Sequence, residues 1–441
     1  MNELGIIFLL GNALAILMVP RRWAPLPFLI GACYITLAQK LVIGPFNFSV
    51  IRLLISVGWI RVLTRGELQL GKLTNLDRVL LLWGAWSLCS SFLHTDPSAI
   101  LVNHLGLVYN AVGFYFLIRA FCTTEEDVVF LIQLLSFLLA PLAVEMVLEQ
   151  LTGHNSFALF GAVSDTVIER GGRFRAQGPF AHAILAGSIA AGCVPLVLGL
   201  WWQRPLAAKI GLASALLMIL ASASSGPIMS ALLGVMALTL WRWRQLTGKL
   251  RLAAVAIYIM LDLVMKRPAY FIIASIDLTG SSTGWHRAAL MRSYFTYASE
   301  WMAGGSDYTR HWMASGILAD ANHVDITNQF IIQGVQGGLL LMILFILALT
   351  LAFYYVGRLA RTEAEDQRWI AWTLGACLFA HTASFMSVAY FDQSFVFFYL
   401  PLAAVSSLYA RSLVKSNAPR DLEEFDSEEG AEAEEETLTE Y

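Results

Sequence analysis

The chain has 441 residues, 57% of them hydrophobic and only 14% charged, with a mean hydropathy of +0.64. Soluble globular chains carry about 25% charged residues, so this composition excludes a water-soluble enzyme. The net charge of −3 hides an asymmetry: Asp421 to Tyr441 holds eleven acidic residues and no basic one, which leaves residues 1–420 at +8. Such a block cannot bury enough apolar surface to form a core, and residues 416–441 are expected to be a disordered acidic tail.

Apolar runs near the ~20 residues that cross a ~30 Å hydrocarbon core recur through residues 1–415. They predict an all-α, polytopic helical membrane protein of about twelve or thirteen transmembrane helices. In chain order the candidate spans lie at roughly 3–20, 24–43, 47–64, 79–93, 99–120, 127–149, 180–201, 206–222, 226–241, 251–266, 329–356, 369–389 and 394–411. The first run lacks a basic leader and a small-residue cleavage site, and reads as a retained span. Nineteen of the 29 basic residues fall on one side, in clusters such as Arg21/Arg22, Arg61 to Arg78, Arg242 to Arg251 and Arg358 to Arg368. The positive-inside rule makes that side cytoplasmic, together with the tail. The two longest loops, about 150–179 and 267–328, then face outward, and the longer one is expected to hold short helices. Cys33, Cys89, Cys122, Cys193 and Cys377 are scattered and give neither a disulfide framework nor a metal spacing.

The ten remaining basic residues sit where orientation alone would thin them. Lys40 and Arg52 lie near outer span ends, and Arg170, Arg173, Arg175, Lys266, Arg267, Arg287, Arg292 and Arg310 lie in or beside the outward loops. Eight arginines among ten suggest a planar anionic partner such as phosphate. The bland alternative is solvated charge, loosely paired with Asp165, Glu169, Asp277, Glu300 or Asp307. Lys40, Arg52, Glu145 and Glu149 map to the outer half of their spans, where one outward cavity would accommodate them. For Lys40 and Glu149 a side chain reaching the headgroups is the simpler expectation.

Three polar stretches interrupt the apolar background. Arg173-Phe-Arg-Ala-Gln-Gly-Pro-Phe-Ala-His182 turns through Gly178-Pro179 into a span, where free backbone N–H groups make an anion site. Gly280 to Arg292 places Arg287 and Arg292 five apart on a short outward helix, only partly on one face. His323-Val-Asp-Ile-Thr-Asn-Gln329 carries polar groups into the span that begins there. Trp285, Trp301 and Trp312 suit either membrane anchoring or sugar stacking. His94, His104, His154 and His381 read as structural. The glycines of Gly334-x-x-Gly337-Gly338 suit close helix packing. No nucleotide fingerprint or metal-ligand spacing is present.

Arg175-x-x-Gly178-x-Phe180-x-His182, the His286-Arg287 pair and the segment from His323 to Leu339, taken in that order, resemble the bacterial O-antigen ligase and O-antigen polymerase family. The resemblance covers about residues 170–350. Its closing segment departs from the family pattern: Val324, Thr327, Asn328 and Ile332 stand where Asn, Leu, Gln and Glu are usual. What the resemblance implies is a GT-C-type glycosyltransferase of the bacterial inner membrane, working at the periplasmic face. A polyprenyl (undecaprenyl) diphosphate-linked glycan would be the donor, and a lipid- or glycan-bound sugar the acceptor, as in lipopolysaccharide biosynthesis. No cofactor, metal or nucleic acid is expected.

On that reading Arg173, Arg175, Arg287 and Arg292 hold the departing diphosphate. His323 or Asp325 takes the acceptor's proton, with His311 a third candidate. Gln329, His182, Lys40 and Arg52 contact substrate. Asp325 alternatively serves as a helix N-cap. A polysaccharide polymerase using the same donor differs only in its acceptor. A flippase for the same lipid would want a charged path continuing through the bilayer, and a scaffold would work through its tail.

Overall fold

The computed structural model describes residues 1–416 apart from 69, 71, 276–283, 313–317 and 363–364. The acidic tail beyond residue 416 and the Gly280-to-Thr283 part of the second motif lie outside the described residues. Sixteen α-helices carry the chain: α1 (Glu3–Met18), α2 (Leu26–Tyr34), α3 (Val50–Thr64), α4 (Asn75–Ser90), α5 (Pro97–Val108), α6 (Phe114–Phe121), α7 (Glu125–Thr152), α8 (Ala183–Gly199), α9 (Pro205–Ala221), α10 (Ser225–Thr239), α11 (Thr247–Val264), α12 (Gly284–Thr296), α13 (Ala298–Trp301), α14 (Gln329–Thr362), α15 (Glu365–Phe385) and α16 (Phe395–Ser416). A π-helical turn, Tyr109–Gly113, joins α5 to α6. Two short antiparallel hairpins interrupt the helices, β1 (Lys40–Ile43) with β2 (Phe46–Ser49), and β3 (Glu169–Arg170) with β4 (Arg173–Phe174).

Every predicted span holds a helix. By length and composition four stretches are able to cross a membrane: Pro97–Phe121, Glu125–Thr152, Gln329–Arg361 and Phe395–Val414. The chain therefore has the make-up of a helical membrane protein. Glu3–Met18, Ala183–Gly199 and Pro205–Ala221 are apolar but shorter. The predicted span 24–43 is corrected: its helix stops at Tyr34, because Thr36 and Gln39 turn away to donate to the carbonyl of Phe160 at 3.1 and 2.7 Å. The following residues form the exposed hairpin that begins at Lys40.

The helix starts follow simple chemistry. Thr74 with Asp77 and Thr124 with Asp127 form reciprocal capping boxes at α4 and α7, satisfying N–H groups that no helical carbonyl reaches. At the centre α8 buries fifteen of its seventeen residues. Small residues permit this, since a methyl group at Gly192 would sit 2.4 Å from the His381 ring and one at Gly187 2.5 Å from Ser222. In lipid, such close approach replaces the hydrophobic drive of a soluble core.

Helix α14 breaks at Gly337 and Gly338, the latter with φ +74°. A Cβ at Gly338 would lie 2.8 Å from the Met302 carbonyl, so the segment before α14 packs on bare backbone there. The carbonyls freed by the break are taken up by Ser306 N–H on Val335 (2.8 Å), the His94 ring on Gln336 (3.1 Å) and the Trp86 indole on Gly337 (2.8 Å). The glycines thus serve packing, as predicted.

One end of the bundle is closed by neutralised charge. Buried Arg119 pairs with buried Asp77, which also accepts from Tyr115 (2.6 Å), Ser406 (3.0 Å) and the Thr74 N–H (2.7 Å). Arg61 grips Glu67 through two 2.8 Å bonds, and Arg21 lies 3.8 Å from Asp127. Removing one partner of a buried pair leaves an uncompensated charge costing about 3–5 kcal/mol. Asp77→Ala should therefore lower the melting temperature of the purified protein sharply, and an unshifted melting curve would show that the pair does not hold this end together.

Candidate functional site

At the opposite end lies a cavity of about 1060 Å³. Its walls come from the start of α3, from α4, α5 and the π-turn, from the loop entering α8, from α12, from the approach to α14 and from the α15–α16 link. Among its lining residues are four arginines, Arg52, Arg170, Arg175 and Arg287.

The first arginine-bearing wall is built by turn chemistry and buried clamps. Gly171 and Gly172, with φ of +60° and +72°, close a two-residue hairpin that sets Arg170 directly opposite Arg173. Like charges paired this way are destabilising unless something negative lies between or beside them. Arg175 follows, its guanidinium held by the Ser224 hydroxyl at 2.5 Å and the Ser222 carbonyl at 3.4 Å. The chain then turns at Gly178, φ +58°, where the buried Glu149 carboxylate accepts from the N–H groups of Gln177 (3.0 Å) and Gly178 (2.8 Å). The buried Asp392 accepts from Ala181 N–H at 2.9 Å, just before His182. Glu149 was expected to reach the headgroups and instead anchors this loop.

Helix α12 supplies the second wall. Leu290, Met291 and Tyr294 pack with Trp301, Trp312 and Val324 into a small core of the outward loop. That packing turns Arg287 toward the cavity, while Arg292, about 140° further round the helix, is exposed and outside the lining. The Nε of Arg287 is buried without a hydrogen-bond partner among the described residues. Burial, and then the positive charge of Arg170 and Arg175, push the Arg287 guanidinium down to about 10. Burial and Arg170 lower Arg175 in the same direction. Three mutually repelling cations share this part of the cavity. Among the described residues none of them has a carboxylate within 4 Å.

The acids and bases of the lining are mostly committed. Asp307 accepts from Thr95 N–H (2.8 Å) and meets His94 at 2.5 Å. Asp320 accepts from the N–H groups of Asn322 and His323, and Asp392 from Ala181 and Ser394. Asp325 differs: among the described residues its carboxylate has no hydrogen-bond or ion-pair partner, although His286 Nε2 donates to its backbone carbonyl at 3.1 Å. The N-cap alternative for Asp325 is overturned, because Asn328 caps α14 by accepting from Phe330 (2.9 Å) and Ile331 (3.1 Å). The His323 ring rests on the Thr309 hydroxyl at 3.3 Å through Nδ1. Gln329 accepts from Tyr390 N–H at 2.7 Å.

Of the residues singled out in the sequence, Arg52, Arg175, His182, Arg287, His323, Asp325 and Gln329 line this one cavity. Arg173, Arg292, Lys40 and His311 do not: the first three are exposed elsewhere, and His311 pairs with Glu300 at 3.0 Å. Glu145 and Glu149 also lie outside the lining. Trp301 and Trp312 are buried in the loop core and only Trp285 is exposed, so neither buried ring is a sugar platform. Arg170 was passed over, although the Gly171-Gly172 turn signals the hairpin that returns it to Arg175. His94 and His104, read as structural, line the cavity with at least one ring nitrogen tied to protein. Among the described residues no group of three metal-ligating side chains occurs.

No protein-family model matches the chain, and no curated protein matches it either. The site must be read from its own chemistry. An un-neutralised guanidinium cluster in a partly buried hollow is a receptor for a multiply charged anion, with charge-assisted bonds each worth roughly 1.5–3 kcal/mol. Inorganic pyrophosphate should bind the purified protein, and Arg170→Ala, Arg175→Ala and Arg287→Ala should each weaken it about tenfold or more. Arg173→Ala and Arg292→Ala should leave it within about twofold, and equal losses in all five would refute this geometry.

Proposed function

We propose that the protein is a glycosyltransferase of the bacterial inner membrane that moves a glycan from polyprenyl diphosphate to an acceptor sugar at the periplasmic face, in the manner of an O-antigen ligase. The observation that carries this reading is the conjunction of Arg170, Arg175 and Arg287, which among the described residues have no carboxylate within 4 Å, with the uncommitted carboxylate of Asp325 in the same cavity.

The chemistry assigns each group a task. The acceptor hydroxyl gives its proton to Asp325 or His323 as its oxygen forms a bond to the anomeric carbon. The bond from that carbon to the phosphate oxygen breaks, and its electron pair leaves with the diphosphate. Negative charge grows on the leaving group in the transition state, where guanidinium groups already fixed in place need no reorganisation to receive it. His286 is a positioning residue, since its ring ties Arg287's helix to the Asp325 backbone. Transfer is favoured over passage through the membrane because the buried arginines at the other end, Arg61 and Arg119, are each paired with a carboxylate.

Purified protein in lipid, given donor and acceptor but no nucleotide, should release polyprenyl diphosphate only when both are present. Arg287→Ala and Arg175→Ala should abolish release with folding intact. Asp325→Asn and His323→Gln separate the two bases, the true one losing about 10²–10⁴-fold in kcat. Wild-type turnover in both arginine variants would eliminate the transferase assignment, and the identity of the extended acceptor separates ligase from polymerase.

A further inference from the structure

The fourth arginine of the cavity stands on a different wall from the other three. Arg52, in the first turn of α3, donates through Nε to the Asn110 side chain at 2.9 Å and through Nη1 to the Asn47 carbonyl at 2.6 Å. Both acceptors are neutral, and among the described residues no carboxylate lies within 4 Å. The π-turn is part of the mounting: Asn110 belongs to it, and the Tyr109 hydroxyl reaches the Arg52 carbonyl at 3.2 Å and Ser56 at 2.7 Å. Extra residues of this kind recur where a helix must present a side chain off its regular face. Gly106 completes the cradle, since a Cβ there would fall 2.6 Å from Arg52 Nη2. Asn103 and Asn110, two turns apart on the α5 face, line the cavity beside the guanidinium.

An arginine seated over a glycine and flanked by amides matches an anion carried on a hydroxyl-rich molecule. Mounted on α3 and the π-turn, and not on the α8 loop or α12, Arg52 is a separate point of attraction within the same hollow. Resting on the transfer reading above, we propose that Arg52 is a second anion subsite, and that the acceptor is an acidic saccharide whose phosphate or carboxylate is held there while its hydroxyl faces the donor.

The test uses the full chain in phosphatidylcholine nanodiscs with glucose 6-phosphate, glucose and inorganic pyrophosphate as probes, followed by phosphorus NMR and competition. With pyrophosphate saturating, glucose 6-phosphate should still bind, and uncharged glucose should not compete with it. Arg52→Gln should weaken glucose 6-phosphate about tenfold and leave pyrophosphate unchanged. Gly106→Ala, which crowds the guanidinium without removing it, should reproduce the loss, so the result does not hang on one variant. Displacement of glucose 6-phosphate by one equivalent of pyrophosphate, or wild-type binding in Arg52→Gln, would overturn the proposal. So would loss of the subsite in phosphatidylglycerol nanodiscs, which assigns Arg52 to a lipid headgroup. Failure of the transfer reading looks different, because Arg287→Ala would then leave pyrophosphate binding intact whatever happens at Arg52.

Discussion

Positive charge without a protein counter-ion organises this molecule. Guanidinium groups in a partly buried hollow repel one another and lose hydration, and a fold ordinarily answers by placing carboxylates beside them. The chain does so at one end, where Asp77, Glu67 and Asp127 meet Arg119, Arg61 and Arg21. At the other end, among the described residues, no carboxylate lies within 4 Å of Arg52, Arg170, Arg175 or Arg287. Arg175 is held by a hydroxyl and a carbonyl, Arg52 by an amide and a carbonyl, and Arg287 keeps a buried donor unmatched. The two ends obey the same electrostatics and differ in whether a carboxylate stands beside the buried arginines.

Asp325 apart, the carboxylates near the cavity are spent on backbone. Glu149 and Asp392 hold the loop into α8 by its N–H groups, and Asp307 and Asp320 brace the segment before α14. Each is fixed in place by the N–H groups it accepts from, and among the described residues none lies within 4 Å of a cavity guanidinium. The same contacts brace the loop that carries Arg175.

Much of this was legible in the amino-acid order. Every span drawn from hydropathy holds a helix, and arginines surviving on the side that orientation depletes pointed to the loops that line the cavity. Local rules failed where tertiary contacts decided the outcome. Nothing near Tyr34 signals that Thr36 and Gln39 will be claimed by the Phe160 carbonyl, so the second span was drawn too long. The choice between Arg170 and Arg173 turned on a hairpin only two residues deep on each strand. Asp325 and Asn328 are both able to cap a helix, and only the helix boundary at Gln329 distinguishes them. The five-residue spacing put Arg287 and Arg292 only partly on one face, and of the two expected at the diphosphate only Arg287 lines the cavity.

The break at Gly337 and Gly338 has a mechanical consequence. Three carbonyls of one helical turn are satisfied by Ser306, His94 and Trp86, which belong to the outward loop, the α4–α5 corner and α4. Swinging the loop away as a hinged cover would strip the bond from Ser306 and part the Asp307–His94 contact at once. The roof of the hollow is thus riveted to its walls.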